Sequence, residues 1–226
     1  MRFYGNMKAD SFLNPTSRSR TLPVKTKPEP LEIKSAGEPV LRQIARQLTR
    51  EEILSPTIQQ LIENMRETMY KAPGVGLAAP QIGMGLQLAV IEDKAEYMKD
   101  IRPEVLAERE RRPVPFQVII NPMLTLEAPP NADFFEGCLS VPGLTALVLR
   151  ASRVRVECLD YKGRPRTTHS SGWHARILQH EIDHLNGTLY TDRMEPRSLC
   201  TMDNYSKHWK DIPVAEIRKK LRRPSS

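Results

Sequence analysis

The stretch Gln179-His180-Glu181-Ile182-Asp183-His184-Leu185-Asn186-Gly187 sets the problem for the whole chain. Residues four apart share one face of an α-helix, so His180 and His184 can reach a single ion with Glu181 beside it. Trp173 and Ile177 fall on the same face. A face that mixes an indole, an isoleucine, two imidazoles and a carboxylate is buried or lines a cleft. Buried imidazoles next to an acid need a partner, and a metal supplies one. The pattern predicts a helix near residues 171–187 that carries the chemistry. A catalytic ion in such a site takes three protein ligands and keeps a fourth position for water. That is the arrangement of a metal-activated hydrolase.

The third ligand must come from elsewhere, and Cys138 is the best candidate. It stands in Glu136-Gly137-Cys138-Leu139-Ser140, where Gly137 permits close backbone approach. Cys158 falls in a strand and reads as a small buried hydrophobe. Cys200 falls at the start of the C-terminal tail. Three irregularly spaced cysteines make no disulfide framework, and they point to a reducing compartment. A further motif is Gly74-Val75-Gly76-Leu77-Ala78-Ala79-Pro80-Gln81-Ile82-Gly83. It lacks the Lys-Ser/Thr and the preceding strand of a phosphate loop. It reads instead as a small-residue wall that lets a substrate backbone approach, with Gln81 as a polar group aimed inward.

Around these motifs the chain reads as α+β. Ser55 is an N-cap and Pro56 the first helical residue. Ile58, Leu61, Ile62, Met65 and Met69 follow at helical spacing, so a helix is expected over 56–71. A short helix is expected over 39–48, with Val40, Leu41 and Ile44 inward. Leu86–Ile91, Phe116–Leu126, Leu144–Leu149 and Arg153–Leu159 read as strands. YKGRP at 161–165 reads as a hairpin turn, and the charged stretch 93–113 as a helical surface insertion. Helices, then strands, then a helix, without βαβ alternation, give α+β.

The chain has 226 residues and a formal net charge of +7, which invites a nucleic-acid reading. Residues 1–28 and 196–226 each carry +5, however, and the body carries −3. We therefore divide the chain into a flexible basic arm (1–30), a catalytic metallohydrolase domain (31–195) and a basic tail (196–226) with a short helix over 212–223. No apolar run is long enough to span a membrane, and no DNA partner is expected. Residues 1–28 lack an apolar signal core but resemble a transit peptide, so the expected location is bacterial cytoplasm or an organellar matrix.

Taken together, GVGLAAPQIG (74–83), EGCLSVPG (136–143) and QHEIDHLNG (179–187) resemble the three motifs of the peptide deformylases, in that family's order. The resemblance spans roughly residues 31–195. The 93–113 insertion resembles that of the plant mitochondrial subtype of type I and its bacterial relatives. The resemblance implies a peptide-deformylase-like fold, with antiparallel or mixed sheets around the HExxH helix. It implies Cys138, His180 and His184 as metal ligands, and Glu181 as general acid/base. It implies oxyanion stabilisation by the Gln81 side-chain amide and the Leu139 backbone N–H. The ion would be ferrous iron natively, with nickel, cobalt or zinc able to substitute; the ligand set alone suggests zinc.

The implied substrate is a nascent peptide starting with N-formylmethionine, pairing in extended form with Val75–Gly76. Val75, Phe134, Trp173, Ile177 and the His180 ring are candidate walls for the methionine side chain, with Gly137 beside them. Glu136 and Arg150 are expected to pair behind the metal loop, and the basic tail is a candidate ribosome-docking segment. Two other classes fit parts of the pattern. A zinc endopeptidase shares HExxH, but the extended pattern fails because Tyr190 stands where a histidine is required. An RNA- or ribosome-binding module with a structural metal would normally show four ligands, and three are evident.

Overall fold

The computed structural model describes residues 27–221. Most of the expected N-terminal arm, and Arg222 and Arg223 of the expected basic helix, fall outside the described residues. In chain order run α1 (Arg50–Leu54), α2 (Pro56–Lys71), β1 (Gly76–Ala78), β2 (Leu88–Asp93) and α3 (Pro103–Glu108). β3 (Val114–Leu126), β4 (Pro130–Cys138), β5 (Val141–Ala151), β6 (Arg153–Leu159) and β7 (Pro165–Ser171) follow. The chain continues with α4 (Gly172–Leu185), β8 (Cys200–Thr201), α5 (Met202–His208) and α6 (Val214–Leu221).

Two antiparallel sheets organise these elements, in the orders β1-β2-β3-β6-β7 and β4-β5-β8. The larger sheet is covered on both faces, which is why β2 reads as a continuous apolar run. Ala89 and Ile91 join the core formed with Ile177, Leu178, Ile182 and Leu185 of α4. Leu88 and Val90, pointing the other way, join Leu61, Ile62, Met65 and Met69 of α2. Strand residues alternate sides, so one strand serves both cores. The Ser55 hydroxyl accepts the Ile58 N–H, capping α2 as its sequence predicts. β6 alternates as expected, with Val154, Val156 and Cys158 inside.

Several elements depart from the sequence reading. Only a single 3-10 turn, Pro39–Arg42, stands where a helix over 39–48 was expected. Leu41 is buried, but Ile44 is 78% exposed, and Ala45 and Leu48 face inward instead. The cause is competition for backbone groups. The Ala45 N–H donates to the Leu185 carbonyl at the end of α4, and the Arg46 N–H donates to Gly85. β4 and β7 were not expected. β7 has no apolar side chain beyond Pro165, but pairs with β6 in register over its full length, from Leu159↔Pro165 to Arg153↔Ser171. The 93–113 insertion holds α3, which buries no residue.

Residues 196–221, read above as a tail, lie against the body. β8 pairs with β5 (Leu144↔Thr201, Thr145↔Cys200). Tyr205 of α5 packs on Phe135 with its ring tilted at 51° and centroids 4.9 Å apart, and Ile217 of α6 is buried with Phe135 and Leu147.

Candidate active site

α4 enters the space between the two sheets at Gly172, whose φ is +54°. A Cβ there would lie 2.7 Å from the Arg109 carbonyl oxygen, so only glycine fits this start. From it α4 buries Ile177, Leu178, Ile182 and Leu185 and carries His180 and His184 on successive turns. Their ring centroids are 5.0 Å apart. The β4–β5 hairpin turns at Leu139–Ser140 and brings Cys138 to the same point. Cys138 Sγ lies 3.3 Å from His184 Nε2, and donor atoms of Cys138, His180 and His184 all fall within 4.8 Å of one another. The three residues singled out from widely separated motifs thus converge.

Glu181 is buried beside them, and its Oε2 has no hydrogen-bond partner among the described residues. An orphaned buried carboxylate oxygen next to a thiol and two imidazoles fits a site built to hold an ion and a reacting group. Burial pushes the Glu181 carboxyl up to about 7. Gly76 of β1 passes directly over it: a Cβ at Gly76 would lie 2.1 Å from Glu181 Oε1. Gly74 similarly faces Leu139, where a Cβ would meet Cδ1 at 3.0 Å. Close approach to the HExxH helix therefore requires glycine at Gly76, Gly74 fits tightly against Leu139, and Gly83 serves its own turn at φ +82°. Gln81 is held by its own turn, its Oε1 accepting the Ala78 N–H at 2.9 Å. Its amide nitrogen then faces Ser140 Oγ at 3.3 Å and Cys138 Sγ at 3.5 Å.

Behind the ligands sits a buried charge network. Glu136 accepts two hydrogen bonds of 2.9 Å from Arg150, as the sequence led us to expect, and a third from Arg176. It also meets His180 Nδ1 at 3.0 Å, which leaves Nε2 available to hold an ion. Arg150 reaches on to Asp183, which accepts Arg193 at 2.7 and 2.8 Å. Burial alone would push the Glu136 carboxyl up, but His180 and Arg150 outweigh it and hold the carboxyl well below its usual range. Burial likewise opposes charge on His180, while Cys138 and Glu136 raise its pKa. Burial lowers that of His184, and the neighbouring His180 lowers it further.

A cavity of about 500 Å³ opens onto Glu181 and His180. Val75, Gly76, Gly137, Trp173 and Ile177, read from the sequence as substrate-facing, line it together with Leu139. Phe134 does not, which corrects the expectation for that residue. On β4, Phe134 stands behind Trp173, edge-on at 6.4 Å, and Phe135 lines the cavity instead. The guanidinium groups of Arg109 and Arg111 lie 5.1 and 5.3 Å from the Trp173 ring and steady it. Sequence reasoning missed Arg176 and Met202 in the lining. An arginine one turn before His180 on a helix face with Ile177 was a usable signal for the first. The second came with no local signal.

Residues 30–199 match the polypeptide deformylase family. The chain belongs to the peptide deformylase family. Its members are metal-dependent hydrolases that remove the N-terminal formyl group from nascent peptides. The chain is 47% identical over 184 residues to the chloroplastic peptide deformylase 1A of Solanum lycopersicum, covering 81% of this chain and 65% of that protein. It is 46% identical over 203 residues to peptide deformylase 3 of Streptomyces avermitilis, covering 86% and 88%. A peptide deformylase of Acinetobacter baumannii, solved with Met-Ala-Ser bound, shares the fold at a TM-score of 0.64 and 33% identity, covering 73% of this chain and 98% of that one. Membership in the peptide deformylase family sets aside the endopeptidase and structural-metal readings. Relatives occur in plant organelles and in bacteria, in keeping with either location. No helix among the described residues is long and apolar enough to cross a membrane.

Proposed function

We propose the following division of labour for deformylation by this chain. Cys138, His180 and His184 hold one divalent ion, ferrous iron natively, with zinc, nickel or cobalt as substitutes. When bound, such an ion supplies Lewis acidity and brings the pKa of water toward neutrality. Glu181 accepts the proton of the attacking water and passes it to the leaving amine as formate departs. The Gln81 amide and the Leu139 N–H donate to the formyl oxygen as it gains charge; one such donor is worth about 2.7–4 kcal/mol. The observation that carries this reading is the convergence of the three donor residues within 4.8 Å, with the unpartnered Glu181 carboxylate beside them.

The peptide lies extended along Val75–Gly76, adding a strand at the free edge of β1. Its methionine side chain enters the cavity between Val75, Trp173, Ile177 and the His180 ring, and Gly137 leaves room for the backbone. Met-Ala-Ser in the Acinetobacter relative is a peptide of this kind. The catalytic residues all lie within the unit 31–195, and the segment packed on it from Cys200 onward completes the cavity rim at Met202. The basic side chains of α6, exposed at Arg218, Lys219 and Lys220, dock the enzyme on the ribosome, where formylated chains emerge. The enzyme works in bacterial cytoplasm or an organellar matrix.

The deciding experiment is an anaerobic assay on formyl-Met-Ala-Ser and on an unformylated internal peptide, with metal analysis of the same sample. Release of formate from the first, with about one ion per chain, is expected. Cleavage of the second alone would overturn the assignment.

A further inference from the structure

Met202 lies beyond residues 30–199, the part that matches the family, yet it lines the active-site cavity. Its position follows from the sheet. β5 pairs Leu144 with Thr201, and the Thr201 hydroxyl caps α5 by accepting the Asn204 N–H at 3.2 Å. One turn on, Tyr205 packs on Phe135. Met202 is therefore held at the cavity rim beside Leu144, 45% exposed.

The cavity has two kinds of wall. Trp173, Ile177 and His180 come from α4, whereas Phe135, Leu144 and Met202 come from the β4–β5 pair and the start of α5. Alternation along β4 explains the division. Glu136 turns toward Arg176 and His180 of α4, and its neighbour Phe135 turns toward Tyr205 of α5. In an extended peptide, successive side chains also point to opposite sides. A formylmethionine whose side chain enters the α4 wall sends the following side chain away from α4.

We infer that Met202, with Leu144 and Phe135, forms an apolar lip that selects the side chain following formylmethionine and favours an apolar one there. The inference rests on the peptide orientation proposed above. A flexible thioether adapts to apolar side chains of different shape. A carboxylate in the same place would lose water without gaining a partner.

The test is steady-state kinetics of the full-length metal-loaded protein on formyl-Met-Leu-Ser, formyl-Met-Gly-Ser and formyl-Met-Asp-Ser. The unsubstituted protein should prefer the leucine peptide. Met202→Ala should lower kcat/KM for that peptide roughly 10-fold, through KM, and lower it far less for the glycine peptide, which presents no side chain to the lip. Met202→Leu should keep the preference. Equal losses on all three peptides, or no loss on any, would overturn the inference. Failure of the unsubstituted protein to deformylate any peptide would overturn the deformylation reading and the inference with it, a result distinct from the other two.

Discussion

Helices α4 and α6 are both amphipathic and both rich in charge, yet they use charge in opposite ways. In α4 the polar side chains of Arg176, Gln179, Glu181, Asp183 and His184 are buried. Nearly every one meets a partner: Gln179 bonds both backbone groups of Ala151, and Asp183 takes Arg150 and Arg193. In α6 only Ile217 is buried, and the charged residues form surface pairs such as Lys220 with Glu216. The difference is enclosure. α4 lies between two sheets that exclude water, whereas α6 rests on one outer face. A charge under α4 must be answered by protein, whereas the charges on α6 are answered mainly by solvent and by pairs at its surface, as Arg218 is by Asp133.

The comparison breaks most visibly at Glu181. Glu181→Gln should lower kcat about 10²–10⁴-fold while metal content by elemental analysis stays near that of the unsubstituted protein. Equal loss of metal would mean that the residue serves the ligands and not the reaction. Arg150→Ala comes next. It takes one partner from each of the buried Glu136 and Asp183, which keep Arg176, His180 and Arg193, so urea unfolding should show a loss of about 3 kcal/mol, with weaker metal retention under chelator. Unchanged stability and activity would show that the network under α4 is no more consequential than a surface pair. Ile217→Ala removes the one buried anchor of α6 and should cost about 2 kcal/mol, measured the same way. The double change Lys219→Glu/Lys220→Glu should move stability by no more than about 0.5 kcal/mol. It should nevertheless reduce co-sedimentation with ribosomes at low salt, and undiminished co-sedimentation would rule out docking through this face.

Much of the centre was legible because its signals are local. Helical spacing alone puts His180 and His184 on one face, and Ser55-Pro56 announces α2. The Glu136–Arg150 pair was anticipated only through the family resemblance. The failures were non-local. Ile44 follows helical periodicity, but the end of α4 takes the Ala45 N–H and Gly85 takes the Arg46 N–H, which holds the chain extended. β4 carries proline, aspartate and glycine and shows no strand pattern; it forms because β5 offers a partner along its length. Choosing Phe134 over Phe135 required the side of β4 that faces the cavity, which is set by that pairing.

The class of chemistry was legible in the sequence, since two imidazoles at helical spacing with an intervening carboxylate, and Cys138 as the best third ligand, point to a metal-activated hydrolase, and the three motifs together carry the resemblance to the deformylases. The tertiary structure decided how that chemistry is enclosed. It explains why Gly76 must be glycine, through the approach of Glu181, and why Phe135 lines the cavity. It also brings Met202, from the segment read as a basic tail, to the rim. These depend on contacts between residues distant in the chain, and such contacts leave no periodicity for a single sequence to display.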